Sequence, residues 1–140
     1  MEPKVQIVIA EQLQQQQSGQ GQVRNLLVNP VIALRVPFIP GAVTFTISIM
    51  TYGIDFGMEN KFQLEIHKTE DPTEIVYEIP EQKIEAGVIV QTDNFNFNFE
   101  LTNTAFYSQG DFTVKFILNG KEHLQNFVLK ADETLTRLGK

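Results

Sequence analysis

The strongest constraint on this chain is the alternation in its last third, NFNFNFEL followed by GDFTVKFILNGKEHLQNFVLK. Phe95, Phe97, Phe99 and Leu101 alternate with Asn94, Asn96, Asn98 and Glu100. Successive side chains of a strand point to opposite faces, so a period of two marks a strand with one face buried and one in water. Phe112, Val114, Phe116 and Leu118 repeat the pattern and run into Asn119-Gly120. Asn and Gly tolerate the left-handed backbone of a two-residue hairpin turn, so Asn-Gly between apolar runs predicts a β-hairpin. That loop pairs Leu118 with Lys121 and sets Phe112 opposite Phe127. Leu124 then falls on the face away from Phe127, which invites a bulge or a slipped register.

Upstream, Val5, Ile7 and Ile9 read as a first strand. Residues 12–22, with consecutive Gln14 to Gln17 and then SGQG, read as a flexible polar loop. Val23 to Val28 is a second strand, broken at Asn29-Pro30 and continued by Val31 to Val36. PFIPG (37–41) is a connector stiffened by two prolines. Val43, Phe45, Ile47 and Ile49 form another half-buried strand rich in β-formers. After a turn region at 53–60, Phe62, Leu64 and Ile66 face inward while Lys61, Gln63, Glu65 and His67 face solvent. Glu70-Asp71-Pro72 turns the chain, and Ile75 to Ile79 is the returning strand. Pro80 to Gly87 is a charged connector with room for a helical turn, and Val88 to Val90 reads as a short strand. The expected class is all-β: a single antiparallel β-sandwich of about eight strands, immunoglobulin-like or C2-like. Residues 1–131 form the domain, and 132–140 are a polar C-terminal tail.

At 140 residues the chain fits one domain with a core of its own. Eleven Phe and no Trp carry the aromatic load, and Phe buries area without needing a hydrogen-bond partner. The absence of Cys excludes disulfides, thiolate nucleophiles and Cys-based zinc sites. A net charge of −6 with scattered Lys and Arg speaks against nucleic acid and anionic membranes as partners. MEPKVQIVIAEQL has too short an apolar run for a signal peptide, and no stretch suits a membrane span, so a soluble cytoplasmic protein is expected.

The run IVIAEQL, then NLLVNPVIALRVPFIPG and a Thr-rich strand, and the ending GDFTVKFILNG with its return strand, carry a resemblance. They resemble a group of small bacterial or phage single-domain β-sandwiches. The last hairpin of that group reads roughly Gly-x-aromatic-x-apolar-x-apolar-x-apolar-Asn/Asp-Gly. The resemblance spans most of the chain and implies a fold and no activity. Gly110-Asp111-Phe112 sits where many immunoglobulin-like domains carry Gly-x-Tyr. Phe lacks the hydroxyl and no Cys follows, so the hydrogen bond of that corner cannot form.

No nucleophile–base pair, carboxylate pair, metal cluster or cofactor loop stands out, and no cofactor is expected. His67 and His123 are far apart in sequence and read as exposed strand histidines. Asp55, Glu59, Glu70, Asp71, Asp93 and Asp111 are the acids a calcium site between loops would draw on. Apart from Glu70-Asp71 they are spread singly. Asp55-Phe56-Gly57 spells a kinase triplet without its companion motifs, and Gly19-x-Gly21 has no helix after it to hold phosphate. The Asn94, Asn96 and Asn98 row presents carboxamides on one strand face, a chemistry suited to sugars or to a partner. Two apolar segments suit contact with a protein partner or a second copy: Phe38 and Ile39 between prolines, and Phe106-Tyr107 before Ser-Gln-Gly. The expected function is a non-enzymatic protein-binding or assembly module. The alternative is a ligand-binding sandwich for calcium or carbohydrate.

Overall fold

Alternating β-branched and aromatic residues make strands of nearly the whole chain, and the alternation gives each sheet one apolar face. The computed structural model describes residues 2–17, 19, 21 and 23–132. Its strands are β1 (Lys4–Gln17), β2 (Val23–Val31), β3 (Ala33–Val36), β4 (Gly41–Tyr52), β5 (Asn60–Lys68), β6 (Asp71–Ile84), β7 (Asn94–Phe106), β8 (Gly110–Leu118) and β9 (Lys121–Ala131). They form two sheets, β2-β1-β4-β7 and β3-β9-β8-β5-β6. The apolar faces meet as a β-sandwich. Among the described residues there is no helix, and so none long and apolar enough to cross a membrane.

The core is where the two alternations interdigitate. Phe45, Ile47 and Ile49 of β4 and Phe97 and Leu101 of β7 meet Leu64 and Ile66 of β5 and Phe112, Val114 and Phe116 of β8. Phe116 lies 5.1 Å from Phe97 and 6.3 Å from Phe62 between ring centroids. Phe112 and Phe127 stack at 5.8 Å. Burying one such side chain is worth about 1.5–3 kcal/mol. Tilted or offset ring pairs add about 0.5–1.5 kcal/mol each. Ile54 and Phe56 also enter the core, although they lie in the loop between β4 and β5.

The predicted final hairpin is present, with Leu118 opposite Lys121 and Phe112 opposite Phe127. Asn119 and Gly120 take φ of 50° and 83°, the left-handed values the turn demands. Several expectations need correction. The β8–β9 ladder runs without a bulge or slip, and Leu124 simply faces solvent at 60% exposure. The sandwich is not wholly antiparallel, because β3 pairs with β9 in parallel. The chain breaks at Ile32 rather than at Asn29-Pro30: β2 ends in one sheet, β3 starts in the other, and Val128 N–H donates to the Ile32 carbonyl (2.8 Å). β1 continues to Gln17, because Gln12–Gln17 finds ladder partners in Val23–Val28. Little of the expected 12–22 loop is loop, and Ser18, Gln20 and Gln22 lie outside the described residues. β6 extends to Ile84, leaving no helical turn. Val88 to Val90 form no strand, because Gly87 N–H bonds the Phe56 carbonyl (2.9 Å) and ties this segment to the 53–59 loop. The expected tail at 132–140 lies outside the described residues beyond Asp132.

Candidate functional site at the arm-bearing end

Register decides which loops become neighbours. β4 and β7 pair Gly41 with Phe106, so the 37–40 loop and the 107–109 loop emerge side by side at one end of the sandwich. The 37–40 loop folds back tightly. A Cβ on Gly41 would sit 2.8 Å from the Phe38 carbonyl oxygen, so this position requires glycine. Phe38 is 64% and Tyr107 77% exposed. Ile39 is half-buried against the core. Phe106, expected among the contact residues, is wholly buried. Its ring meets Phe112 edge-on at 5.1 Å and Phe45 at 6.0 Å. Strand parity explains this: Phe106 is the last inward residue of β7, and the chain leaves the ladder at Tyr107.

The loop that presents Tyr107 is anchored. Lys68 Nζ donates to Ser108 Oγ (2.6 Å) and to the Gln109 carbonyl (3.2 Å). Ser108 Oγ donates to Glu74 Oε2 (3.1 Å). Gln109 Oε1 accepts the Ala131 N–H (3.1 Å). An aromatic on an anchored loop loses little entropy when it makes a contact.

The third feature of this end is an arm. β1 stays with β4 only as far as Ala10, opposite Thr46. Beyond it, the pairs from Gln12↔Val28 to Gln17↔Val23 form a two-stranded extension. β1 runs antiparallel to β4, so the arm points toward the Gly41 end. Val23 is 62% and Leu26 41% exposed, while Leu13, Leu27 and Val28 are half-buried. A groove of about 730 Å³ lies where the arm meets the body, lined by Glu11, Val28, Val31, Arg35 and Val43 among others. Asn29 donates to the Glu11 carboxylate across the arm's base. Arg35 reaches Asp132 at 3.3 Å.

A second surface lies on the outer face of the β2-β1-β4-β7 sheet. Tyr52 stands between Lys4 and Asn94, and Met50 between Gln6 and Asn96. These six residues line a shallow groove of about 460 Å³. Ser48 Oγ donates to Asn98 Oδ1 at 2.7 Å, which fixes that carboxamide. The Asn row is visible in the sequence. Tyr52 beside it is not, because the register of a neighbouring strand puts it there.

The ionisable groups are engaged locally. His67 is buried rather than exposed, at 9%, because neighbouring strands β6 and β8 flank it. Its Nδ1 lies 2.8 Å from Glu65 Oε2, which Lys115 Nζ also approaches at 3.4 Å. Partial burial, aided by the Lys121 ammonium and opposed by Glu2, holds His123 below the usual histidine range. Asp55 Oδ1 accepts the Gly57 N–H (2.8 Å). Asp71 Oδ1 accepts the Thr73 hydroxyl (2.5 Å), which pulls its carboxyl below the usual range. No three or more His, Cys, Asp or Glu side chains among the described residues are grouped to hold a metal ion.

The sequence matches no protein-family model and no curated protein. Among solved structures the chain is similar to β-glucosidase from Listeria innocua in complex with glucose, at 11% identity, TM-score 0.48 and 93% of this chain. The same enzyme with gluconolactone gives 10% identity, TM-score 0.46 and 92%. The chain spans only 16% of the length of those proteins. At that level of likeness the neighbours assign neither a fold family nor an activity to this chain.

Proposed function

We propose that this protein is a non-enzymatic binding or assembly module whose contact surface is the arm-bearing end. The observation that carries this reading is convergence: exposed Phe38, exposed Tyr107 and a two-stranded arm bearing exposed Val23 and Leu26 lie at one end of the sandwich. Large exposed apolar side chains gathered at one place mark interaction surfaces, whereas single scattered ones do not. Aromatic residues on anchored loops supply much contact area at small entropic cost. The test is solution mass by light scattering over a concentration series. It compares wild type, Phe38→Ser/Tyr107→Ser, and Val90→Ser, whose residue is 87% exposed at the opposite end. Wild type and Val90→Ser should gain mass with concentration, and the double variant, equally folded, should gain less. Equal masses that rise for all three would remove Phe38 and Tyr107 from the surface and leave only the arm, and masses that rise for none would sink the reading.

The outer-face groove favours a second reading, a carbohydrate-binding sheet. Tyr52 supplies a ring for a sugar to stack on, and Asn94, Asn96 and Gln6 supply hydrogen bonds around it. Oligosaccharides would then raise the melting temperature of wild type and leave Tyr52→Ala unmoved. No rise with any oligosaccharide would remove this reading.

A further inference from the structure

We infer that the arm pairs with the arm of a second copy of this chain, β2 against β2 in antiparallel about a two-fold axis at Leu27. This rests on the reading that the arm-bearing end is a contact surface, and it names the partner.

The first ground is edge protection. An edge strand offers unpaired N–H and C=O groups and invites another strand unless charge, proline, shortness or a kink blunts it. Among the described strands, β3 is four residues long. β6 carries Pro72, Pro80, Glu74, Glu78, Glu81 and Lys83, and its pairing with β5 shifts register three times. β7 is kinked by Asn103 at φ 51° and bears Glu100. β2 is also an edge, and from Asn25 to Val28 it carries neither charge nor proline. Its partner β1 has no charged residue from Gln12 to Gln17 either. β7 is likewise free of charge and proline from Asn94 to Phe99, and Arg24 and Pro30 flank the open stretch of β2, so the open edge permits the pairing and self-complementarity singles out β2.

The second ground is self-complementarity. An isologous contact requires a surface that matches itself when reversed. VRNLLVNPV reads nearly the same from both ends about Leu27. Asn25 would face Asn29, Leu26 would face Val28 and Leu27 would face Leu27. The one charge, Arg24, would face Pro30, not its symmetry mate. The two guanidinium groups would lie six strand positions apart, roughly 20 Å, beyond the screening length of about 8–10 Å. Pro30 has no N–H and Asn29 takes φ 52°, so the new ladder would close at Asn29.

The third ground is stability. An isolated two-stranded hairpin is marginal in water, and three or more strands are needed for independent stability. Pairing makes the arm four-stranded. It also joins the two β2-β1-β4-β7 sheets into one of eight strands.

The test is a charge pair placed on the axis. In this register residue 26 of one copy is the diagonal neighbour of residue 26 of the other, close enough for charges to interact. Leu26→Lys and Leu26→Glu each change an exposed position. Each variant alone should fall from the mass of two chains to that of one, with its melt showing a folded protein. An equimolar mixture of the two should return to two chains. A dimer that survives in both variants but weakens in Phe38→Ser/Tyr107→Ser would overturn β2 pairing and leave the arm-bearing end as a contact surface. Single-chain mass for wild type throughout the concentration series would overturn both. Loss of mass in each variant with no recovery on mixing would overturn the two-fold register.

Discussion

At the residue scale, one step in the sequence separates two opposite roles. Phe106 and Tyr107 are neighbours, yet one ring is wholly buried among Phe45, Phe112 and Phe127 and the other is 77% exposed. Phe106→Ala should therefore cost about 3–5 kcal/mol, because it leaves a cavity as well as losing transfer energy. Tyr107→Ala should stay within about 0.5 kcal/mol. Denaturant unfolding of the two variants reads this directly, and equal losses would show that Tyr107 is packed. Sequence parity separates the two only if the last ladder residue is known, and Phe106-Tyr107 does not announce it. His67 illustrates the same limit. Alternation puts it correctly on the outer face of β5, but its burial depends on the strands beside it and on Glu65 and Lys115. Those neighbours are fixed by long-range register, which no local window contains.

At the element scale, the legible strands were those with strong alternation and a named turn. β4, β7 and β8 follow from Phe, Val, Ile and Leu at every second position, and β9 from Asn119-Gly120, whose backbone takes the expected left-handed values. The illegible element was the arm. A run of glutamines reads as loop because Gln has no strand preference of its own, and its strand character comes from β2 across the ladder. Val88 to Val90 failed in the opposite direction. Three strand-forming residues lie in a connector because Gln91 Nε2 donates to the Ile54 carbonyl (2.8 Å) and Gln91 Oε1 accepts the Phe56 N–H (2.8 Å). Those two bonds hold the segment against the neighbouring loop and away from any sheet edge. The proposed contact site is legible in part: the PFIPG and Phe-Tyr segments stand out in sequence, but only the Gly41↔Phe106 pair shows that they share an end.

At the scale of the whole molecule, the sandwich has two unlike ends. At one, the 53–59 and 85–93 loops are bound to each other and to the core through Gln91, Gly53 and Gly87. At the other, Phe38, Tyr107 and the arm stand out from the body. Met58, Val88 and Val90 are exposed at the first end as well, so what favours the proposed pairing is the near-symmetric sequence of β2 rather than apolar exposure alone. Amide hydrogen exchange across a concentration series, read by peptide mass spectrometry, tests this most directly, because ladder hydrogen bonds slow exchange where they form. Those amides of Asn25 to Val28 that face the free edge should exchange more slowly as concentration rises, while those of the 53–59 and 85–93 loops stay unchanged. Arm amides that exchange at one rate at every concentration, even where the solution mass has doubled, would contradict the account.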